Sequence, residues 1–118
     1  RMRTERIAYL STEMDLTSAE AEKFWPVYNG VQARKRDAQR AVLQTYKALE
    51  EASESGKPEA EVSAALDAYL SAIETRHTIE SGAVDEFLAV LPAEKVAKLY
   101  VAEEKFRRQQ IHRLHPRP

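Results

Sequence analysis

The sequence predicts an all-α protein built on a long antiparallel helical hairpin. Ala, Glu, Lys, Leu and Arg make up 61 of the 118 residues, a bias that is typical of long helices. Three glycines and five prolines leave little turn chemistry for a sheet. The length corresponds to one domain, so we expect residues 1–118 to form a single helical domain.

Two of the helix starts share a short repeat. The segment LTSAEAEKFW at residues 16–25 returns in weaker form as LPAEKVAKLY at residues 91–100. In the first copy Thr17 is a good N-cap, and Glu20 can complete a capping box with it. In the second copy Pro92 replaces the threonine and still favours a helix start, because proline needs no amide partner there. The predicted helix-cap motif comprises Leu16, Thr17, Glu20, Leu91 and Pro92.

Apolar spacing and turn residues place four helices along the chain. We expect a short helix over about residues 3–14, a long one over about 18–54, a second long one over about 58–91 and a last one over about 92–113. Between the long helices stands the turn Ser55-Gly56-Lys57-Pro58, in which the glycine can end one helix and the proline can open the next. A turn this short makes the two long helices antiparallel neighbours.

Both long helices are expected to bend at one level. If the turn is centred on Gly56, Gly30 falls opposite Gly82. Pro26 and Ser81 lie beside these glycines, and proline and Gly/Ser pairs commonly kink helices. A bend at this level would give the hairpin a concave face.

The apolar seams predict which side of each helix is buried. In the second helix the seam is Ala21, Phe24, Tyr28, Val31, Ala38, Val42, Tyr46 and Leu49. In the third helix it is Val62, Leu66, Tyr69, Ile73, Val84, Phe87 and Leu91. The aromatic cluster Phe24, Trp25 and Tyr28 is interpreted as a core plug, with an exposed patch for client proteins as the alternative.

Charge is distributed unevenly although its total is only −1. Residues 1–47 carry a net charge of +3, residues 48–93 of −8 and residues 94–118 of +4. This polarity favours antiparallel association of these parts or separate surfaces for different partners, and the plainer alternative is a set of solvated helix faces.

No motif for catalysis or for a cofactor is present, and we expect neither an enzyme nor a cofactor. The sequence contains no cysteine, no G-x-S-x-G elbow, no phosphate-binding loop and no H-E-x-x-H. It also lacks an apolar run of about 18 residues, so no transmembrane segment is predicted. His112 and His115 could approach a metal, but Pro116 disfavours helical geometry there and no third ligand is near, so we predict no metal site and a frayed tail.

Two basic runs are the candidate client- or partner-binding residues: Arg34, Lys35, Arg36, Arg40, Lys105, Arg107 and Arg108. The hairpin register places Arg34, Lys35 and Arg36 near Glu74, Arg76 and His77. A basic concave face would attract acidic or unfolded chains. Nucleic acid is not expected as a partner, because the total charge is negative.

The repeat motif and the helix order resemble a known family. Leu16-Thr17-x-x-Glu20, the helix it opens and the copy beginning at Leu91 look like the LTxxQ-motif family of Spy/CpxP-like periplasmic proteins. The segments LTSAEAEKFWPVYN and LPAEKVAKLYVAEEKFRR are similar to small members of that group from the Bacteroidetes. The resemblance covers about residues 5–113. Within the motif, the family glutamine is replaced by Glu20 in one copy and by Lys95 in the other.

The resemblance implies a helical hairpin, a periplasmic location and, in many members, a homodimer. It further implies a non-enzymatic binding protein of the bacterial envelope that acts as a holdase-like chaperone or as a stress-response adaptor. The alternative is a regulatory or metal-sensing module that binds one folded partner. No signal peptide is visible from Arg1 onward, so the expected location rests on the resemblance alone.

Overall fold

The computed structural model describes residues 2–114, except for the side chain of Met2. These residues form four α-helices and no strand. The helices are α1 (Met2–Met14), α2 (Ser18–Glu54), α3 (Glu59–Leu88) and α4 (Ala93–Leu114). The predicted all-α fold, a long helix pair with shorter helices at both ends, is therefore confirmed. The tail expected to fray, residues 115–118, lies outside the described residues.

The start of α2 is held by a capping box. The amide of Thr17 donates to Glu20 Oε1 at 3.0 Å, and the amide of Glu20 donates back to Thr17 Oγ1 at 3.1 Å. Both copies of the repeat begin their helix at the equivalent residue. The Thr17 carbonyl accepts from the amide of Ala21 at 2.9 Å, and the Pro92 carbonyl accepts from the amide of Val96 at 3.1 Å.

Lys95 joins the two copies of the repeat. Its Nζ donates to the carbonyls of Met14, at 3.3 Å, and of Asp15, and it lies 3.5 Å from Glu20 Oε1. A cation in the first turn of α4 opposes the dipole of that helix, but the same cation is favourable at the C-terminal end of α1. Asp15 turns the chain there with a φ of 49°. Lys95 cannot close a capping box of its own, and it caps another helix instead.

The predicted third helix was too long at its C-terminal end. We expected residues 58–91, whereas α3 ends at Leu88. The amides of Val90 and Leu91 both donate to the carbonyl of Phe87, at 3.0 and 2.9 Å, and so close the last turn.

The turn between α2 and α3 follows its sequence signals. Gly56 adopts a φ of 64°, a left-handed conformation that glycine tolerates best. The amide of Lys57 donates to the carbonyl of Ala52 at 3.3 Å, which is the long hydrogen bond of a Schellman motif. The carbonyl of Pro58 then accepts from the amide of Val62 at 3.1 Å and so opens α3.

The described residues fall into two compact units. The terminal unit comprises the residues up to 25 together with those from 87 onward, and the hairpin unit comprises residues 26–86. The prediction of a single domain stays a prediction.

Large side chains fill the core of the terminal unit. The ring of Phe24 is fully buried and lies with its centroid 5.7 Å from Phe87 and 4.8 Å from Trp25. The remaining buried apolar residues of this unit are Leu10, Met14, Leu91, Val96, Leu99, Ala102 and Phe106. Phe24 and Tyr28 of the aromatic cluster are therefore buried, and Trp25 is half-buried.

Helices α1 and α4 pack antiparallel within the terminal unit. Glu5 pairs with Arg113 at 3.1 Å near one end, and Arg6 pairs with Glu103 at 2.8 Å further along. The Arg6 guanidinium also lies 5.3 Å from the ring centroid of Phe106, within the range of a cation–π interaction.

The core of the hairpin unit becomes thin away from Tyr28 and Val31. Beyond these two residues the buried side chains are small: Ala38, Val42, Ala52, Ala72 and Ala83. The rings of Tyr46 and Tyr69 lie 6.0 Å apart, and Arg76 of α3 donates to Gln39 of α2. A later residue of α3 thus meets an earlier residue of α2, so the two helices are antiparallel neighbours. The predicted register paired Tyr46 with residue 66, so the observed register is shifted by about one helical turn.

The glycines expected at the bend lie inside uninterrupted helices. α2 continues through Pro26 and Gly30, and α3 continues through Gly82. A Cβ atom on Gly82 would meet no neighbour within 4 Å, so packing does not require a glycine at this position. The bend stays a prediction.

Replacing Phe24 with alanine tests the core of the terminal unit. Because the ring is fully buried between aromatic neighbours, we expect Phe24→Ala to lower the free energy of unfolding by about 3–5 kcal/mol in urea titrations. Leu114→Ala is the matched control: Leu114 is 71% exposed, and its loss should change stability by about 0.5 kcal/mol or less. Equal effects of the two variants would contradict this core.

The capping box should make stability depend on pH. The hydrogen bond from the Thr17 amide, followed by the charge of Lys95, lowers the pKa of Glu20 below its ordinary 4.5. A lowered carboxyl pKa stabilises the fold above the ordinary value, and this contribution is lost as the pH falls through the folded-state pKa. Glu20→Gln keeps an acceptor for the Thr17 amide without the charge. We expect the wild type to melt higher than this variant at neutral pH and the gap to close in strong acid, and a gap independent of pH would contradict the assignment.

Candidate functional site

An exposed apolar surface lies on one side of the hairpin unit. Leu43 is 50% exposed, Tyr46 46%, Leu66 43% and Leu70 53%. We refer to these four residues as the hairpin face. Residues three or four apart share one side of a helix, so Leu43 lies beside Tyr46 and Leu66 beside Leu70. Tyr46 contacts Tyr69, which lies one turn from Leu66 on α3. The pair on α2 and the pair on α3 therefore lie on the same side of the hairpin.

Two members of the hairpin face were predicted to be core. The sequence seams contain Tyr46 and Leu66, and both are more than two-fifths exposed. A helix in a two-helix hairpin has one neighbour, so only a narrow stripe of its surface is covered. Leu43 and Leu70 lie off the predicted seams, and this was the signal in the sequence that apolar surface would remain exposed.

Acidic side chains outnumber basic ones around the hairpin face. The Tyr46 hydroxyl donates to Glu50 Oε2 at 3.4 Å, one helical turn away. The charge of Glu50, followed by this hydrogen bond, raises the pKa of Tyr46. Between residues 41 and 80 the chain has eight Asp and Glu residues but only three Lys and Arg residues. Apolar surface and negative charge therefore occur together.

Two of the four predicted basic residues of α2 are paired within the hairpin unit. Arg34 forms an ion pair with Glu86, and Arg40 Nη1 lies 2.8 Å from Asp37 Oδ1. Lys35 and Arg36 have no ion pair with any residue that the structure describes. Arg34 was expected near Glu74, Arg76 and His77, and its ion pair is formed with Glu86.

The second basic run lies in the terminal unit and is also paired. Arg107 Nη2 lies 2.6 Å from Glu104 Oε2, and Arg108 Nε lies 2.9 Å from the same oxygen. The hydrogen bonds from Arg107 and Arg108, in that order, lower the pKa of Glu104 to about 2. Lys105 is exposed and has no ion pair among the described residues. The two runs belong to different units.

Each unit contains a shallow groove. One, of about 310 Å³, lies between α1 and α4 and is lined by Glu13, Ala97, Lys98, Val101, Ala102 and Lys105. The other, of about 260 Å³, lies between α2 and α3 and is lined by Arg34, Asp37, Ala38, Ala41, Thr75 and Ile79.

The histidines do not gather with other metal ligands. Within residues 2–114, no three His, Asp or Glu side chains are close enough together to hold a metal ion. His77 and His112 are both exposed, and His115 lies outside the described residues. Among the described helices, none is long and apolar enough to cross a membrane.

The chain matches no family model, no curated protein and no solved structure. The resemblance to the LTxxQ-motif proteins, noted above for the helix-cap motif, stays a prediction.

Removing the hairpin face should reduce dye binding without unfolding the protein. In Leu43→Gln/Leu70→Gln, glutamine is a good helix former of similar length, and both sites are half exposed. We expect each substitution to lower the free energy of unfolding by about 1 kcal/mol or less. Fluorescence of an apolar-surface dye on the native protein should fall, whereas Ile111→Gln in α4 should leave most of it. Unchanged fluorescence in the double variant would contradict an accessible apolar face.

Proposed function

We propose that this chain is a non-enzymatic protein-binding protein of the bacterial envelope, acting as a holdase-like chaperone or as a stress-response adaptor. The observation that supports the proposal most directly is the hairpin face. Its three leucines and one tyrosine are about half exposed to solvent on one side of two paired helices. Apolar patches of this kind mark surfaces that bind other proteins. The placement in the periplasm is supported by the resemblance of the helix-cap motif.

The exposed residues also carry an energetic argument. A half-exposed leucine forgoes roughly half of the 1.5–3 kcal/mol that full burial of its side chain would contribute. The chain has three such leucines within the hairpin face. Their burial against a partner would recover this free energy on binding. Weak and reversible capture is what a holdase or an adaptor requires.

A homodimer belongs to this proposal as a second expectation. The test is sedimentation of the full chain over a range of concentrations. A single monomeric species throughout that range would remove the dimer and leave the binding function in place.

Light scattering by an aggregating client tests the function directly. We expect the wild type to suppress the scattering of a thermally unfolding client at about stoichiometric ratios, because exposed apolar segments of the client can bury the hairpin face. Leu43→Gln/Leu70→Gln should lose most of this suppression, and Ile111→Gln should retain it. Absence of suppression by the wild type would contradict the chaperone proposal, and equal suppression by all three proteins would contradict the assigned surface.

The adaptor form of the proposal predicts a different result. An adaptor would bind one folded partner at fixed stoichiometry and would leave aggregating clients unprotected. Loss of that single complex in the double variant would still assign the binding to the hairpin face.

A further inference from the structure

We propose that the hairpin face selects cationic amphipathic helices, that is, segments with an apolar stripe flanked by Lys or Arg. This inference rests on the proposed binding function and names the chemistry of the partner. It also reverses the expectation drawn from the basic runs, which favoured acidic partners.

The apolar part of the partner follows from the shape of the face. Leu66 and Leu70 are one turn apart on α3, and Leu43 and Tyr46 occupy the same side on α2. Apolar residues at this spacing on two neighbouring helices form the floor on which a third helix can lay an apolar stripe. An extended strand would leave its amides unpaired on such a surface, because helices α2 and α3 use their own backbone groups internally.

The charge of the partner follows from the border of the face. Glu50 lies one turn beyond Tyr46, Glu74 one turn beyond Leu70, and Glu59 two turns before Leu66 on the same side of α3. All three carboxylates are exposed, and none has an ion pair among the described residues. A partner cation meeting one of them has no internal ion pair to displace.

The basic residues near the face do not balance these three carboxylates. Lys47, one turn beyond Leu43, is exposed and is one cation against three anions. Arg34 and Arg40 are neutralised by Glu86 and Asp37. Arg76 donates to Gln39 Oε1 at 2.9 Å and is half-buried. The same border disfavours a second copy of the face, since two such surfaces would bring like charges together.

The probes are three labelled helical peptides of equal length, and the measurement is fluorescence anisotropy with the full chain. The first peptide has a leucine stripe flanked by lysines, the second has glutamates in place of the lysines, and the third has the first composition in an order that forms no stripe. We expect the first to bind about tenfold or more tightly than each of the others, with affinity falling as salt is raised.

Paired variants separate the two parts of the inference. Leu43→Gln/Leu70→Gln should weaken the cationic peptide about tenfold, and Glu50→Gln/Glu74→Gln should remove most of its salt dependence and of its advantage over the acidic peptide. Glu22→Gln, an exposed carboxyl of the terminal unit, is the control and should change neither.

Each result has a defined consequence. Equal binding of the cationic and acidic peptides, lost in the leucine double variant, would overturn the charge selectivity and leave the binding function standing. If neither stripe-bearing peptide binds and the protein does not suppress client aggregation, both the charge selectivity and the proposed binding function are overturned. A dimer in sedimentation that Leu43→Gln/Leu70→Gln dissociates would assign the face to a second copy and also overturn the inference.

Discussion

Two paired helices can each bury only one stripe, and this constraint governs the hairpin unit. Beyond Tyr28 and Val31, the side chains between α2 and α3 are mainly alanines, which allow close approach but cover little apolar surface. The larger residues beside that stripe, such as Leu43 and Leu70, have no further helix of the hairpin unit to pack against. Their exposure follows from the two-helix geometry and needs no distortion of either helix.

The sequence predicts local structure well, because local structure depends on short-range chemistry. The capping residues Thr17 and Glu20 and the turn residue Gly56 act within a few positions of themselves, and their hydrogen bonds and dihedral angles match their sequence signals. Side-chain partners across helices depend on register, which a turn sets only to within a few residues. The register is offset by about one helical turn, and Arg34 pairs with Glu86 rather than with a residue near position 74. The exposure of Tyr46 and Leu66 likewise depends on tertiary packing.

Lys95 shows how the repeat is used in three dimensions. In the sequence, Lys95 occupies the position that Glu20 has in the first copy, but a lysine cannot complete a capping box. In the structure it binds that glutamate and the last carbonyls of α1, so the divergence of the second copy lets the two copies bind each other. A lysine ammonium has only donors, and the end of α1 presents only acceptors. This complementarity depends on the antiparallel packing of α1 on α4, which the spacing of residues along the chain does not reveal.

Most arginines of the two basic runs have a carboxylate partner, whereas the carboxylates beside the hairpin face have none among the described residues. Of the arginines that stood out as runs in the sequence, Arg34, Arg40, Arg107 and Arg108 pair with neighbouring carboxylates, which reduces their outward field. Exposed carboxylates such as Glu50 and Glu74 have no ion pairs within residues 2–114, and their field reaches into solvent beside the leucines. A run of like residues is therefore a poor guide to a binding surface when each member has a local partner. Exposed apolar side chains and exposed charges without an internal partner gain the most free energy when another protein binds. In the hairpin unit, these groups are the leucines of the hairpin face and the carboxylates at its border.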